Sequence, residues 1–291
     1  MEPPLKPNEA DCCNSGCNPC IFDVYEDQLN KYLNKQLYIS DARNCLSQTA
    51  YTAFTLKEIK PHAKNTFIYT FRYGNTPDNC NRVLYKPGQH LLMKADDNAV
   101  QFTRAYTPIP GDGTDLLSFT VLVKLYENGA MSAFFRNLRM NDDVLWRGPY
   151  GDYEVDYGLS RLLLIAQGTG IAPLYTIAHD ILHNESCETF VHLFLCSRTE
   201  DDIPLRDELY QLASYWNFTY EIFLSQATRA RCKYNETVHD FRLSSNEIEA
   251  YFLRISDDRL QVLICGSDAF NVDVSRLVTE CKTDGIEIVA L

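Results

Sequence analysis

The stretch "AQGTGIAPLY" (Ala166–Tyr175) decides how this chain is read. It closes an apolar run, "LLLIA" at 162–166, and opens a helical pattern, "PLYTIAHDIL" at 173–182. Between them lies a glycine turn, Gln167-Gly168-Thr169-Gly170. Glycine lets backbone approach a ligand closely. The start of a helix offers unpaired N–H groups and partial positive charge to an anion. Taken alone, the turn reads first as a plain structural turn. It is not the six-residue dinucleotide fingerprint, and no Lys-Ser/Thr follows it as in an ATP-binding loop.

Working outward, the C-terminal half repeats this pattern. "VHLFLC" at 191–196 and "QVLIC" at 261–265 are further continuous apolar runs, with "LRDELYQLA" at 205–213 as a helical segment between them. Continuous apolar strands alternating with helices predict a parallel sheet covered on both faces. An α/β doubly wound nucleotide-binding domain is therefore expected over 156–291. In such a sheet the crevice at the strands' carboxyl ends is where ligands bind.

Upstream the rhythm is that of short strands. "NTFIYTF" at 65–71, "GQHLLMKA" at 88–95 and "LLSFTVLVKLY" at 116–126 are separated by turn signals such as "PGDG" at 110–113. This pattern predicts a small antiparallel β-barrel over 46–155. One helix, "MSAFFRNLRM" at 131–140, follows Asn128-Gly129. Residues 1–45 form a third segment, a Pro- and Cys-rich lead and then a helical pattern at Ile21, Val24, Tyr25, Leu29, Tyr32 and Leu33.

Composition narrows the function classes. The net charge of −12 falls entirely on 151–291, which carries 11 basic and 23 acidic residues, whereas 1–150 balances at 16 of each. No clustered basic face points to nucleic acid. No apolar run reaches the ~18–20 residues of a membrane span. The start "MEPPLKPNEADCC" has neither a signal-peptide core nor a transit-peptide composition. Eleven scattered cysteines argue for a reducing compartment, and a soluble, cytoplasmic protein is expected.

Two barrel segments carry chemistry. "RAYTP" at 104–108 supplies a cation for a pyrophosphate, an aromatic ring and a hydroxyl, and the arginine fork suits phosphate. "NGAMS" at 128–132 is a second glycine turn opening a helix. Each segment has an ordinary reading as well, in strand packing and a helix cap. The order "PGQH", "RAYTP", "VKLY", "GAMS", "RGPYG", "GTGIAP", "CGSDAF" resembles the ferredoxin reductase superfamily, and within it the NADH–cytochrome b5 reductase branch.

The resemblance, which covers about 50–291, implies a flavin domain followed by a nicotinamide-nucleotide domain, with FAD and NADH as cofactors. It implies that Arg104 contacts the FAD pyrophosphate, with Ala105 beside it, and that Tyr106 packs on the flavin. It places Thr107 near the flavin atom that receives hydride, His90 behind that threonine, and Leu122 and Lys124 along the flavin strand. Gly129, Ala130, Met131 and Ser132 match the phosphate turn. Gly168, Thr169, Gly170, Ala172 and Pro173 would lie beside nicotinamide and flavin, and Cys265-Gly266 at the nicotinamide. Thr107, His90 and Cys265 are the expected catalytic set. His90 reads equally as a strand histidine bonded to backbone, and Cys265 as a small buried apolar residue.

Some positions depart from the family pattern. Gln167 stands for a glycine, Ala172 for a threonine, and "CGSD" for "CGPP". Ile109-Pro110 follows "YTP", the chain ends "IEIVAL" without a terminal aromatic, and "RARCKYNETVHDF" at 229–241 lacks a Trp and a Gly. NADPH stays open beside NADH, because Ser225 stands where an acid would repel a 2′-phosphate, with Arg198, Arg229 and Arg231 near. The acceptor implied is a one-electron carrier such as cytochrome b5, steered by a basic rim of Lys86, Lys94, Lys124, Arg136 and Arg139. The N-terminal "CCNSGCNPC" resembles a short oxidoreductase-like motif. Its Cys12, Cys13, Cys17 and Cys20 are either metal ligands or part of a docking segment. A non-catalytic relic acting as a binding or assembly module, or a reductase of an iron–sulfur acceptor, are the competing functions.

Overall fold

The computed structural model describes residues 6–7, 22, 25, 29, 43–74, 81–97, 100–111, 115–226, 232–255, 259–281 and 286–291. Contacts divide the chain into two units: Met1–Asn44 with Thr76–Arg82, and Cys45–Asn75 with Val83–Leu291. In the first, β1 (Arg43–Asn44) pairs in parallel with β4 (Asn81–Arg82). The helix expected at 21–33 and Cys12, Cys13, Cys17 and Cys20 fall outside the described residues, apart from Phe22, Tyr25 and Leu29 in helical conformation.

The second unit holds two sheets. The first comprises β2 (Thr52–Ala63), β3 (Thr66–Tyr73), β5 (His90–Asp97), β6 (Val100–Tyr106), β7 (Pro108–Ile109), β8 (Ser118–Lys124) and β9 (Asp143–Tyr150). All its pairs are antiparallel, in the order β6-β5-β9-β2-β3-β8-β7. Alternate residues turn inward, as the period of a strand requires. Phe54 and Leu56, Tyr69 and Phe71, Leu91 and Met93, Phe119 and Val121, and Val144 and Trp146 are all buried. The Trp146 ring sits 5.0 Å from both Phe71 and Phe119, with tilted and edge-on geometry that suits aromatic quadrupoles. Helix α1 (Ala130–Asn137) inserts Phe135 against Tyr69 at 4.7 Å and Tyr106 at 5.5 Å.

The two edges of this sheet, β6 and β7, are consecutive in the chain and separated only by Thr107. The expected barrel is thus joined through the chain at Thr107, with no continuous ladder closing it among the described residues. That seam exposes the backbone beside Thr107 to the cleft described below.

The second sheet is parallel throughout, in the order β13-β12-β11-β10-β14-β15. Its strands are β10 (Arg161–Gln167), β11 (Phe190–Ser197), β12 (Phe218–Leu224), β13 (Thr237–His239), β14 (Leu260–Cys265) and β15 (Glu287–Ala290). Leu162 to Ala166 are all buried, so β10 is covered on both faces. Helices α2 (Ile171–Leu182) and α3 (Arg206–Leu212) share one core with Leu162, Leu164 and Leu193. Helices α4 (Ser245–Arg254) and α5 (Asp268–Cys281) pack on the other face with Leu163, Ile165 and Ile264. Among the described residues no helix is long and apolar enough to cross a membrane.

The chain runs from β10 outward through β11 and β12, then returns to place β14 on β10's other side. Strand order therefore reverses between β10 and β14, and a crevice opens at their carboxyl ends. Those ends are Gln167-Gly168 and Cys265-Gly266.

Candidate functional site

A cleft of about 1340 Å³ opens at this reversal point and reaches the barrel seam. It gathers His90, Arg104, Ala105, Tyr106, Thr107, Leu122, Lys124, Gly129, Ala130, Met131, Ser132, Thr169, Gly170, Ala172, Pro173, Cys265 and Gly266. Of the catalytic and cofactor-contacting residues that the resemblance implies, only Gly168 is not on its wall. Asn65, Gly88, Phe102, Tyr126, Arg198 and Leu291 also line it.

The glycine turn works in two different ways. Gly168 holds φ +55°, a left-handed conformation, with open space where a Cβ would point. Gly170 has ordinary helical φ, but a Cβ there would stand 2.3 Å from the Cys265 carbonyl oxygen. Close approach of β10 and β14 at the cleft floor thus depends on Gly170. The first amide of α2, Ile171 N, is taken up by the carbonyls of Gly168 and Thr169, and Pro173 has none to offer.

Two departures from the family pattern meet each other here. Gln167 Oε1 accepts hydrogen bonds from Ser267 Oγ at 2.9 Å and Ser267 N at 3.3 Å. A proline at 267 has no N–H to give. Gln167 and Ser267 therefore tie the ends of β10 and β14 together, a coupling that neither residue signals alone. Asp268, the first residue of α5, is exposed and absent from the cleft wall.

On the barrel side, Arg104 is exposed, and its Nη1 makes a single hydrogen bond, to the Thr103 carbonyl at 3.1 Å. Tyr106 is held edge-on between Phe135 and Trp146, and burial pushes its phenol well above the ordinary value of 10.0. Its hydroxyl stays protonated. His90 opens β5 opposite Tyr150, with the two rings 6.0 Å apart, and burial lowers its pKa, so the imidazole is neutral at neutral pH. Gly129 precedes α1 in an extended conformation. The Ser132 hydroxyl accepts from Tyr126 N at 2.9 Å, so its role is to pin the 126–132 loop. The amides at the start of α1 remain as donors.

Lys124 lines the cleft, but its ammonium holds Asp202 Oδ1 at 2.7 Å, with side-chain exposures of only 13% and 5%. Asp202 also accepts from Thr199 Oγ1 at 2.8 Å and faces Arg198 at 3.4 Å. Burial acts to raise the Asp202 pKa, but Lys124, Thr199 and Arg198 outweigh it, and the net direction is down. Nearby, Lys64 N donates to Asp201 O and Leu205 N to His62 Nε2, each at 2.7 Å. These bonds fasten the β2–β3 turn of the barrel to the segment after β11. The expected basic rim is smaller as a result: Lys124 is buried and paired, and Lys86 pairs with Glu154 at 2.6 Å. Ser225 donates its amide to Ser197 O and is not on the cleft wall, whereas Arg198 is. Arg229 and Arg231 lie outside the described residues.

Burial pushes the Cys265 thiol up to about 11. It is protonated at neutral pH and therefore a poor nucleophile there. Iodoacetamide at pH 7.5 is expected to label exposed Cys232 well before Cys265, whose labelling accelerates only as pH approaches 11. Peptide mass spectrometry checks this, and equal labelling of the two at pH 7.5 would contradict it.

The donor set fits a dinucleotide flavin with a nicotinamide nucleotide. It combines a free guanidinium, two glycine turns each opening a helix, aromatic ring surface and a neutral thiol around one cleft. Comparison with known families agrees. Residues 53–155 match the oxidoreductase FAD-binding domain, 164–276 the oxidoreductase NAD-binding domain, and 1–40 the N-terminal domain of oxidoreductase-like proteins. Fold and cleft together define a flavin- and nicotinamide-nucleotide-dependent oxidoreductase of two catalytic domains. The chain is 33% identical to the NADH-cytochrome b5 reductase-like protein of Mus musculus, over 94% of this chain and 90% of that one. The Homo sapiens protein of the same name is also 33% identical, over 94% and 89%. This chain belongs to the NADH-cytochrome b5 reductase-like family. Its fold is shared with the cytochrome b5 reductase domain of Ulva prolifera nitrate reductase, with TM-score 0.72 and 21% identity, covering 86% of this chain and 100% of that one. It is shared also with the CS-b5R domains of human Ncb5or, with TM-score 0.71 and 22% identity, covering 82% and 69%.

Proposed function

We propose that this chain oxidises NADH and passes the electrons singly to a haem-protein acceptor of the cytochrome b5 type. The observation that carries the reading is the convergence of the barrel seam at Thr107 with the glycine turn and Cys265-Gly266 on one cleft. In this reading 1–45 is a docking lead, 46–155 the flavin domain and 156–291 the nucleotide domain.

FAD, when bound, supplies the conversion of a two-electron hydride into single electrons, and the protein supplies alignment and exclusion of water. Arg104 and the amides of Ala130, Met131 and Ser132 would hold the pyrophosphate, a fork and a helix start suited to anions. Tyr106 and Leu122 give the ring system an apolar seat. Thr107 and neutral His90 form the polar side of that seat, and a neutral imidazole there can accept or donate a proton. Gly170, Ala172 and Pro173 would line the nicotinamide side of the cleft, and the Cys265 thiol would pack there to limit the ring's approach.

NADH is favoured over NADPH because Arg198, the nucleotide-domain arginine on the cleft wall, already shares Asp202 with Lys124. A 2′-phosphate would have to compete with that buried carboxylate. Steady-state reduction of cytochrome b5 by each nucleotide tests the reading. We expect kcat/KM at least tenfold higher with NADH, and rates that fall as salt rises, because exposed Arg136 and Arg139 meet an acidic partner. Equal rates with NADPH would overturn the nucleotide assignment. Failure to reduce cytochrome b5, with ferricyanide still reduced, would overturn the acceptor.

A further inference from the structure

The nucleotide domain has a second cleft, of about 680 Å³, at the opposite end of the parallel sheet. Arg161 opens β10, His192 lies early in β11, and Thr219 and Glu221 lie in β12, so this cleft gathers at the amino ends of the strands. Seven-residue strands at ~3.3 Å per residue place it roughly 20 Å from the carboxyl-end crevice. β13 pairs with β12 only over Glu221–Phe223, so among the described residues no strand covers the outer edge of Phe218–Tyr220.

Charge makes this cleft unusual in an acidic domain. Among the described cations of 151–291, Arg198, Arg206, Lys233, Arg259 and Arg276 each hold a carboxylate. Arg161, Arg242 and Arg254 hold none, and two of these three line the cleft. The one carboxylate on the wall, Glu221, is engaged by His239 Nε2 at 2.6 Å. His192 is held neutral, its pKa lowered to about 4 chiefly by burial. Two guanidinium groups, Arg161 also lying 5.1 Å over the Phe190 ring, therefore line the space against the single carboxylate of Glu221.

The walls are aromatic. Tyr251 stacks on His192, centroids 4.9 Å apart and planes 18° from parallel, and shares the wall with Arg161. Tyr251 and Arg254 are three residues apart on α4, hence on one helical face. Tyr210, Tyr220 and exposed Tyr234 complete the ring surface. His192 Nδ1 lies 2.7 Å from Thr219 Oγ1, which fixes the imidazole plane under Tyr251. Guanidinium forks are matched to phosphate oxygens, and flat rings are matched to a flat heterocycle.

We propose that this cleft binds a nucleoside phosphate, its phosphate between Arg161 and Arg254 and its base against the tyrosine walls, at a site separate from the catalytic crevice. β11 connects the two directly: His192 stands at one end, and Ser197 leads to Arg198 on the catalytic wall at the other.

The test is calorimetric titration of AMP, adenosine and inorganic phosphate into FAD-loaded protein saturated with NAD⁺, which fills the catalytic crevice. We expect one saturable AMP site per chain, with adenosine and phosphate each at least tenfold weaker. Arg161→Gln and Arg254→Gln should each weaken AMP about tenfold or more, the loss of a charge-assisted hydrogen bond, and leave NAD⁺ affinity unchanged. Absence of AMP binding under NAD⁺ would overturn the proposal. So would AMP affinity indifferent to both substitutions, or phosphate binding as tightly as AMP.

Discussion

Gly170→Ala is expected to slow reduction of the flavin by NADH about 10²-fold. The new Cβ would lie 2.3 Å from the Cys265 carbonyl oxygen, 2.7 Å from its carbon and 3.0 Å from Gly266 N. These are backbone atoms at the end of β14, and no side-chain rotation relieves them. The ends of β10 and β14 must separate, which moves the floor of the cleft. A displacement of about 1 Å at a reacting centre costs rate on that order, and overpacking of this kind costs about 1–3 kcal/mol of stability. Gly168→Ala is the control. Its strain is conformational, from φ +55°, with open space around the methyl, so it should cost only about 1–2 kcal/mol and leave the strand ends in place. Stopped-flow traces of the two variants, beside their urea midpoints, separate the effects. Equal rates in both variants would mean that the contact between strand ends does not set the geometry.

Asp202→Asn is expected to destabilise the protein by about 3 kcal/mol. Lys124 comes from the barrel, Asp202 from the nucleotide domain, and both side chains are almost wholly withdrawn from water. Breaking one partner of such a pair strands the other charge, which costs about 3–5 kcal/mol, whereas replacing both with apolar residues is often neutral. The double variant Lys124→Met with Asp202→Leu should therefore recover most of the loss in urea unfolding. The acid side follows from the sign of the shift. The Asp202 pKa lies below its ordinary value of 3.8, so its contribution is complete above that value and disappears as pH falls through the lower, folded-state value. Unchanged stability of Asp202→Asn would show that the pair does not hold the domains together.

Much of this architecture is legible in the residues. The runs at 162–166, 191–196 and 261–265 mark three central strands because a doubly covered strand carries no polar alternation. The motif order from Arg104 to Gly266 locates the cleft, because each segment lies at a strand end or helix start. Other features are hidden for physical reasons. β2 (Thr52–Ala63) mixes Lys, Glu and His with its apolar residues because it is long and carries two register shifts. Helix α4 is announced only by Ser244 and Glu247, whose reciprocal capping box is a local signal within a polar stretch. The pairing of Lys124 with Asp202, and of Gln167 with Ser267, joins residues 78 and 100 positions apart. No local pattern encodes such partners. Gln167 read in isolation is a lost glycine; beside Ser267 it is one half of a bond across the reversal point.

The most direct test of the account is anaerobic mixing of the FAD-loaded chain with NADH, followed in the visible flavin band. NADH should bleach the band rapidly, and adding cytochrome b5 should restore it. A bound flavin that stays oxidised at saturating NADH and NADPH would contradict it, leaving a cleft that binds the cofactor without carrying the hydride step.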